Sequence, residues 1–390
     1  MTVRRWARWL PWSVPAASTV LFLLAVAQFY RSGTGFTSLI AFSEGFQSRQ
    51  LPAVRELPLA VEPGYGYDGQ FYAQIAVDPL LRTPELDRAM DLAPHRTRRI
   101  LFSWTAFALG LGNPQRIITV YSVQNIVCWG ILGVLILRWF PMTSWRSAAL
   151  WFVTMFSGGL LWSVRKSLLD GPSLLLIAIA MVAIETRRHW WATAILGINA
   201  LGRETNVLAA GTLVDPATRS GRAIGRQLLQ LGLFALPIVI WFDYLYSIYR
   251  GTLFTSGSVM GPPFEWYWWR WGGVITNVGS EGWHREAFLT TLILTSLTVQ
   301  AAFTFFRPRW NDPWWRLGFV YAFLMIFFGR PMWVSNPSAL RVVLPLNLAF
   351  NVQLTRVTNP WFFWPLVVAG NVSMLFGWYT LEVPLLGKWF

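Results

Sequence analysis

The sequence predicts an all-α polytopic membrane protein of about eleven transmembrane helices, with one large polar loop after the first of them. Three observations carry this expectation. Only 13% of the 390 residues are charged and 54% are hydrophobic, with a mean hydropathy of +0.43, whereas a soluble domain carries about 25% charged residues. Apolar runs recur along almost the whole length. Many of the 25 tryptophans sit beside those runs, where aromatic belts meet the headgroup layer.

The first run, 14–30, follows the basic residues Arg4, Arg5 and Arg8. Ala25-Val26-Ala27 resembles a cleavage site, but the run is long for a signal peptide and many more follow. An uncleaved first helix with the N-terminus inside is the expectation. Residues 32–99 are too polar and Pro-rich to cross lipid, and hold Glu44, Glu56, Glu62, Asp68, Asp78, Glu85, Asp87 and Asp91 out of 18 acidic residues. This is the first extracytoplasmic loop. Residues 100–112 are apolar but short of the ~20 a span needs, so they read as a juxtamembrane or half-inserted helix behind Arg96, Arg98 and Arg99. Spans follow at 117–137, 148–163, 171–184, 228–249, 287–306, 317–328, 342–354 and 362–379. Residues 190–214 read as two short helices broken at Arg203-Glu204, and 250–285 as a second, aromatic-rich outer loop. The chain is one transmembrane domain.

Charge sets the orientation. The arrangement above places Arg138, Arg146, Arg187, Arg188, Arg219, Arg222, Arg226, Arg307, Arg309 and Arg356 inside, as positive-inside topology requires. It then gathers Asp68, Arg165, Lys166, Asp170, Arg203, Glu204 and Arg341 on the outer face. The net charge of +14 is explained by this punctuation, and no basic stretch looks like a nucleic-acid groove. The single Cys128 allows no disulfide within the chain, and His95, His189 and His284 show no metal-ligand spacing. The absence of a P-loop, a dinucleotide fingerprint and a G-x-S-x-G elbow argues against a nucleotide-driven pump or a soluble-type hydrolase.

The sharpest local feature is Tyr65-Gly66-Tyr67-Asp68-Gly69-Gln70-Phe71-Tyr72, continuing to Asp78-Pro79. From the residues alone, a plain helix cap among interfacial aromatics explains Asp68 better than a functional role does. The segment resembles the YDGQFYY…A.DP motif of a bacterial membrane-protein family linked to cell-surface glycopolymer formation. That family is similar to the GT-C superfamily of polytopic glycosyltransferases. The match is dense from Tyr67 to Pro79, looser at Arg98-Arg99-Ile100-Leu101 and at Leu201-Gly202-Arg203-Glu204-Thr205, and in the C-terminal half offers only Arg341.

The resemblance implies a GT-C-like fold in the bacterial cytoplasmic membrane. It implies transfer of a sugar from a polyprenyl-phosphate donor to a glycan or lipid acceptor at the outer face. It makes Asp68 the general base and Arg165, Lys166, Arg203 and Arg341 candidates for the donor phosphate. Interfacial anchoring explains each cation as well. Asp170, Glu204, Glu44 and Asp78 are secondary candidates; Asp170 before Gly171-Pro172 also makes an ordinary helix start. Asp68, Asp78 and Glu44 are enough carboxylates for one divalent cation. Tyr65, Tyr67, Tyr72, Trp266 and Trp268 could stack on sugars or lie in the interface. A flippase for lipid-linked sugars and a noncatalytic assembly subunit are the alternatives; no inverted repeat supports transport.

Overall fold

A computed structural model describes residues 10–253 and 259–382. Arg4, Arg5 and Arg8, on which the orientation of the first helix rests, lie outside the described residues, as do 254–258 of the second loop. The described chain is all-α, with twenty α-helices and a single pair of two-residue parallel strands, Phe42–Ser43 and Val61–Glu62.

Five helical segments are long and apolar enough to cross a membrane: Leu10–Ala27, Pro114–Arg138, Gly221–Thr252, Arg285–Phe306 and Pro360–Thr380. A sixth arises if Trp145–Met155 and Gly158–Arg165, bent by 43° at their junction, form one span. This is fewer than the eleven expected from apolar runs. The remaining runs form shorter helices: Asp170–Glu185, His189–Ala200, Pro313–Ile326 and Leu344–Leu354. At about 1.5 Å per residue such helices reach roughly 17–24 Å, short of the ~30 Å hydrocarbon layer. Their apolar character is used against protein: every residue of Leu344–Leu354 is buried. Hydropathy registers an apolar face without registering whether lipid or another helix covers it.

Two expected irregularities are present. Residues 101–109 form a nine-residue helix, Leu101–Leu109, too short to span. The segment 190–214 is broken, with Arg203 extended between His189–Ala200 and the 3-10 helix Glu204–Thr212. Backbone freed by a break must find partners away from water. Asn206 Nδ2 supplies one, donating to the Asn199 carbonyl at 2.9 Å, and Asn199 Nδ2 donates to the Ser173 carbonyl at 3.2 Å.

The first loop folds into a lobe with its own apolar core. Its centre is the helix Gly69–Val77, in which every residue but Val77 is buried. Phe71, Tyr72 and Ile75 pack with Phe42, Leu86, Met90 and Ile100, and with Trp241 and Leu245 of the long helix Gly221–Tyr249. Two glutamines tie the lobe together. Gln74 accepts from Leu51 N at 2.9 Å and donates to the Ala89 carbonyl at 3.1 Å. Gln70 accepts from Ser43 Oγ at 3.1 Å and donates to the Tyr65 carbonyl at 2.8 Å.

Candidate functional site

The motif around Asp68 is shaped by its two glycines. Gly66 has φ +66°, and a Cβ there would lie 2.4 Å from the Ala41 carbonyl oxygen. Gly69 presses on another segment: a Cβ would lie 2.3 Å from the Lys166 carbonyl oxygen. The turn is thereby seated against the end of Gly158–Arg165, and it delivers Asp68 to the start of Gly69–Val77. Asp68 occupies the N-cap position, but its side chain makes no capping bond. The carboxylate instead meets Arg96 Nη2 at 3.0 Å and Arg341 Nη1 at 3.6 Å.

Asp68 opens onto a cavity of about 470 Å³. Its lining includes the ionised side chains of Asp68, Arg96, Arg99, Arg203, Glu204 and Arg341. It also includes the apolar side chains of Val259, Met260, Leu324, Phe328, Met332 and Val342. The ionic residues come from segments nearly three hundred residues apart. Arg203, from the helix break, pairs with the buried Asp170, and Arg341 Nη1 lies 3.9 Å from the other Asp170 oxygen. Arg341 thus bridges two carboxylates at distances longer than a close ion pair; its side chain is 7% exposed and its Nε has no hydrogen-bond partner. Its guanidinium also lies over the Tyr67 ring, 5.3 Å from the centroid. Arg96 is shared between Asp68 and Asp91, the latter at 2.7 Å.

The electrostatics of the lobe follow from these pairings. Burial raises the pKa of Asp68, but Arg96, Arg341 and Arg99 outweigh it and hold the carboxyl at about 2. His95 behaves oppositely: burial, then the charge of Arg99, push it down to about 4 despite Glu204, so the imidazole is neutral near pH 7. Glu62 is raised by burial and lowered further by Lys166 and Arg165, ending below its ordinary value.

The expected residues divide into those that meet and those that do not. Asp68, Arg203, Glu204, Arg341 and Tyr67 line this cavity, and the buried Asp170 is joined to it through Arg203 and Arg341. Arg165 and Lys166 do not line it. Both hold Glu62, at 3.2 and 2.9 Å, and they line a second cavity with Trp162, Arg285 and Tyr379. Their role as donor-phosphate ligands beside Asp68 is therefore not favoured by placement. Asp78 accepts from Thr83 N at 2.7 Å within the lobe, and Glu44 lies exposed in the first turn of Glu44–Gln47. Neither joins Asp68. No group of three or more His, Cys, Asp or Glu side chains suited to a metal occurs among the described residues. Tyr65 is 80% exposed, and Tyr72 is buried with its hydroxyl accepting from Arg99. Trp266 and Trp268 belong to the helix Glu265–Glu281, and neither lines the main cavity.

The sequence marks Arg96 and Arg99 as basic residues ahead of a short helix, with Arg99 inside a loosely matching segment, but singles out neither of them, nor His95, as a site residue. The available signal was charge complementarity: Arg99 is matched by Glu204, and Arg96 by Asp68 and Asp91. No known family, curated protein or solved structure matches the chain.

Proposed function

We propose that the chain is a GT-C-like glycosyltransferase of the bacterial cytoplasmic membrane. It transfers a sugar from a polyprenyl-phosphate donor to a cell-envelope glycan or lipid acceptor at the outer face. The observation that supports this reading best is the cavity at Asp68, whose lining combines arginines with apolar side chains. An anionic head group on an apolar chain suits both kinds of residue. Arg offers a forked donor to phosphate oxygens, and the apolar lining residues let isoprenoid carbon pass from lipid into the cavity without meeting water.

The chemistry assigned to the residues is a single displacement. The acceptor oxygen bonds to the anomeric carbon as the bond from that carbon to the phosphate oxygen breaks. The electron pair leaves on the phosphate, where Arg341 and Arg203 stabilise the growing charge. The acceptor proton passes to Asp68. A carboxylate held near pKa 2 is a weak base, but that suits a late proton transfer. An oxocarbenium-like transition state makes the acceptor oxygen acidic only as its bond to carbon forms.

The test is transfer of radiolabelled sugar from a panel of polyprenyl-phosphate sugars into envelope glycans and lipids by the purified protein. Wild type should transfer from at least one donor, and Arg341→Ala should weaken donor use by the ~1.5–3 kcal/mol typical of a charged hydrogen bond. A folded wild-type protein that binds these donors and transfers from none would overturn the enzyme reading in favour of a carrier.

A further inference from the structure

Arg99 is held by three acceptors. Its Nε donates to Glu204 Oε2 at 2.7 Å, its Nη1 to the Tyr72 hydroxyl at 2.8 Å, and its Nη2 contacts His95 Nε2 at 3.1 Å. A guanidinium can only donate, so Nε2 of His95 is the acceptor and its ring proton sits on Nδ1. The supports come from three segments: Gly69–Val77, Ala93–Arg96 and the helix break at Arg203-Glu204. The side chain is 12% exposed and lines the cavity. Of five N–H groups, these bonds use three, leaving one on each terminal nitrogen. By contrast Arg203 is drawn to Asp170 and Arg96 to two aspartates.

We infer that Arg99 joins Arg341 and Arg203 in holding the phosphate ester of the lipid substrate, using its two remaining N–H groups, and that His95 is a positioning residue that fixes the plane of the fork. This rests on the lipid-phosphate part of the function proposed above and extends it to residues outside the Asp68 motif. A fork fixed before binding loses little rotamer freedom when the anion arrives. Glu204 stabilises the Arg99 charge without occupying the whole guanidinium, so the site stays cationic toward the cavity.

The experiment is binding of farnesyl phosphate, farnesol and inorganic phosphate to the full-length protein in detergent, by calorimetry. Wild type should bind farnesyl phosphate at least tenfold more tightly than either other probe. Arg99→Lys keeps the charge but loses the planar fork, and should weaken farnesyl phosphate at least tenfold while leaving farnesol unchanged. His95→Gln, whose amide oxygen can replace the acceptor, should stay within about threefold of wild type, and His95→Leu should lose about tenfold. If Arg99→Lys fails to fold, the two His95 variants carry the test. Wild-type affinity in both Arg99→Lys and His95→Leu overturns the inference. So does equal binding of farnesol, or of inorganic phosphate, to wild type. Binding is read without turnover. An intact clamp in a protein that transfers nothing would therefore reject the transferase reading alone, and active transfer with an indifferent Arg99 would reject this one alone.

Discussion

Asp68 stands where a capping carboxylate would stand, yet it gives its oxygens to two arginines. Substituting Asn therefore loses no cap and leaves Arg96 and Arg341 without their shared counter-charge. We expect Asp68→Asn to cost roughly 1–3 kcal/mol of stability and to lower transfer by roughly a hundredfold or more, the scale for a lost general base. Near-normal transfer by the folded variant would remove Asp68 from the chemistry. His95 and Asp68 also contribute to the acid limit of stability. His95 is lowered from 6.5 to about 4; its contribution is complete above 6.5 and is lost as pH falls to about 4. Asp68 is lowered from 3.8 to about 2; its contribution is complete above 3.8 and is lost as pH falls through 2. Melting temperature should thus fall in two steps, the upper one absent in His95→Gln and the lower one reduced in Asp68→Asn, where Glu62 still titrates. A single step unaffected by either variant would contradict both assignments.

At the scale of elements, the site depends on how closely the Asp68 turn seats against the segment ending at Lys166. Gly69→Ala places a methyl 2.3 Å from a backbone oxygen, so one of the two segments must move. Overpacking of this kind costs about 1–3 kcal/mol, and here it should also displace Asp68. Transfer should fall more than stability does, read as activity at a temperature where the variant remains folded; unchanged activity would mean the seating is not needed. This seating also shows what sequence could disclose. The helix break at Arg203 was legible because an ion pair interrupts an apolar run, and the motif was legible because glycines and carboxylate sit together. The fate of Arg165 and Lys166 was not legible. Their partner Glu62 lies about a hundred residues away, and a cation at a helix end reads the same whether it faces a substrate or a strand. Arg99 was hidden for the same reason, since Tyr72, His95 and Glu204 converge on it only in the fold.

At the scale of the molecule, the ionic cluster at Asp68 is joined by helices to a second ionic cluster. Asp170–Glu185 begins at Asp170, beside Arg203 and Arg341, and ends at Glu185, which accepts from Arg138 at 3.0 Å and from Trp139 and Trp314 at 2.7 and 2.9 Å. Pro313–Ile326 starts with Trp314 at that second group and brings Leu324 to the cavity. Nearby contacts extend the second group: Arg356 pairs with Asp312, Arg146 donates to the Thr358 carbonyl, and Arg316 donates to the Gly211 and Thr212 carbonyls. Arg138, Arg146 and Arg356, which charge counting assigns to the inside, therefore belong to the second cluster and not to the one at Asp68. The positive-inside rule therefore predicts an outer-face cavity, as the proposed use of a lipid-linked donor requires. In a Cys128→Ala background, Tyr65→Cys should react with an impermeant maleimide in intact cells, because residue 65 is exposed on the Asp68 lobe. Arg222→Cys, at the start of Gly221–Tyr249, should react only after permeabilisation. The reverse pattern would put the cavity on the cytoplasmic side, and transfer at the outer face would have to be abandoned even if Asp68 proved essential.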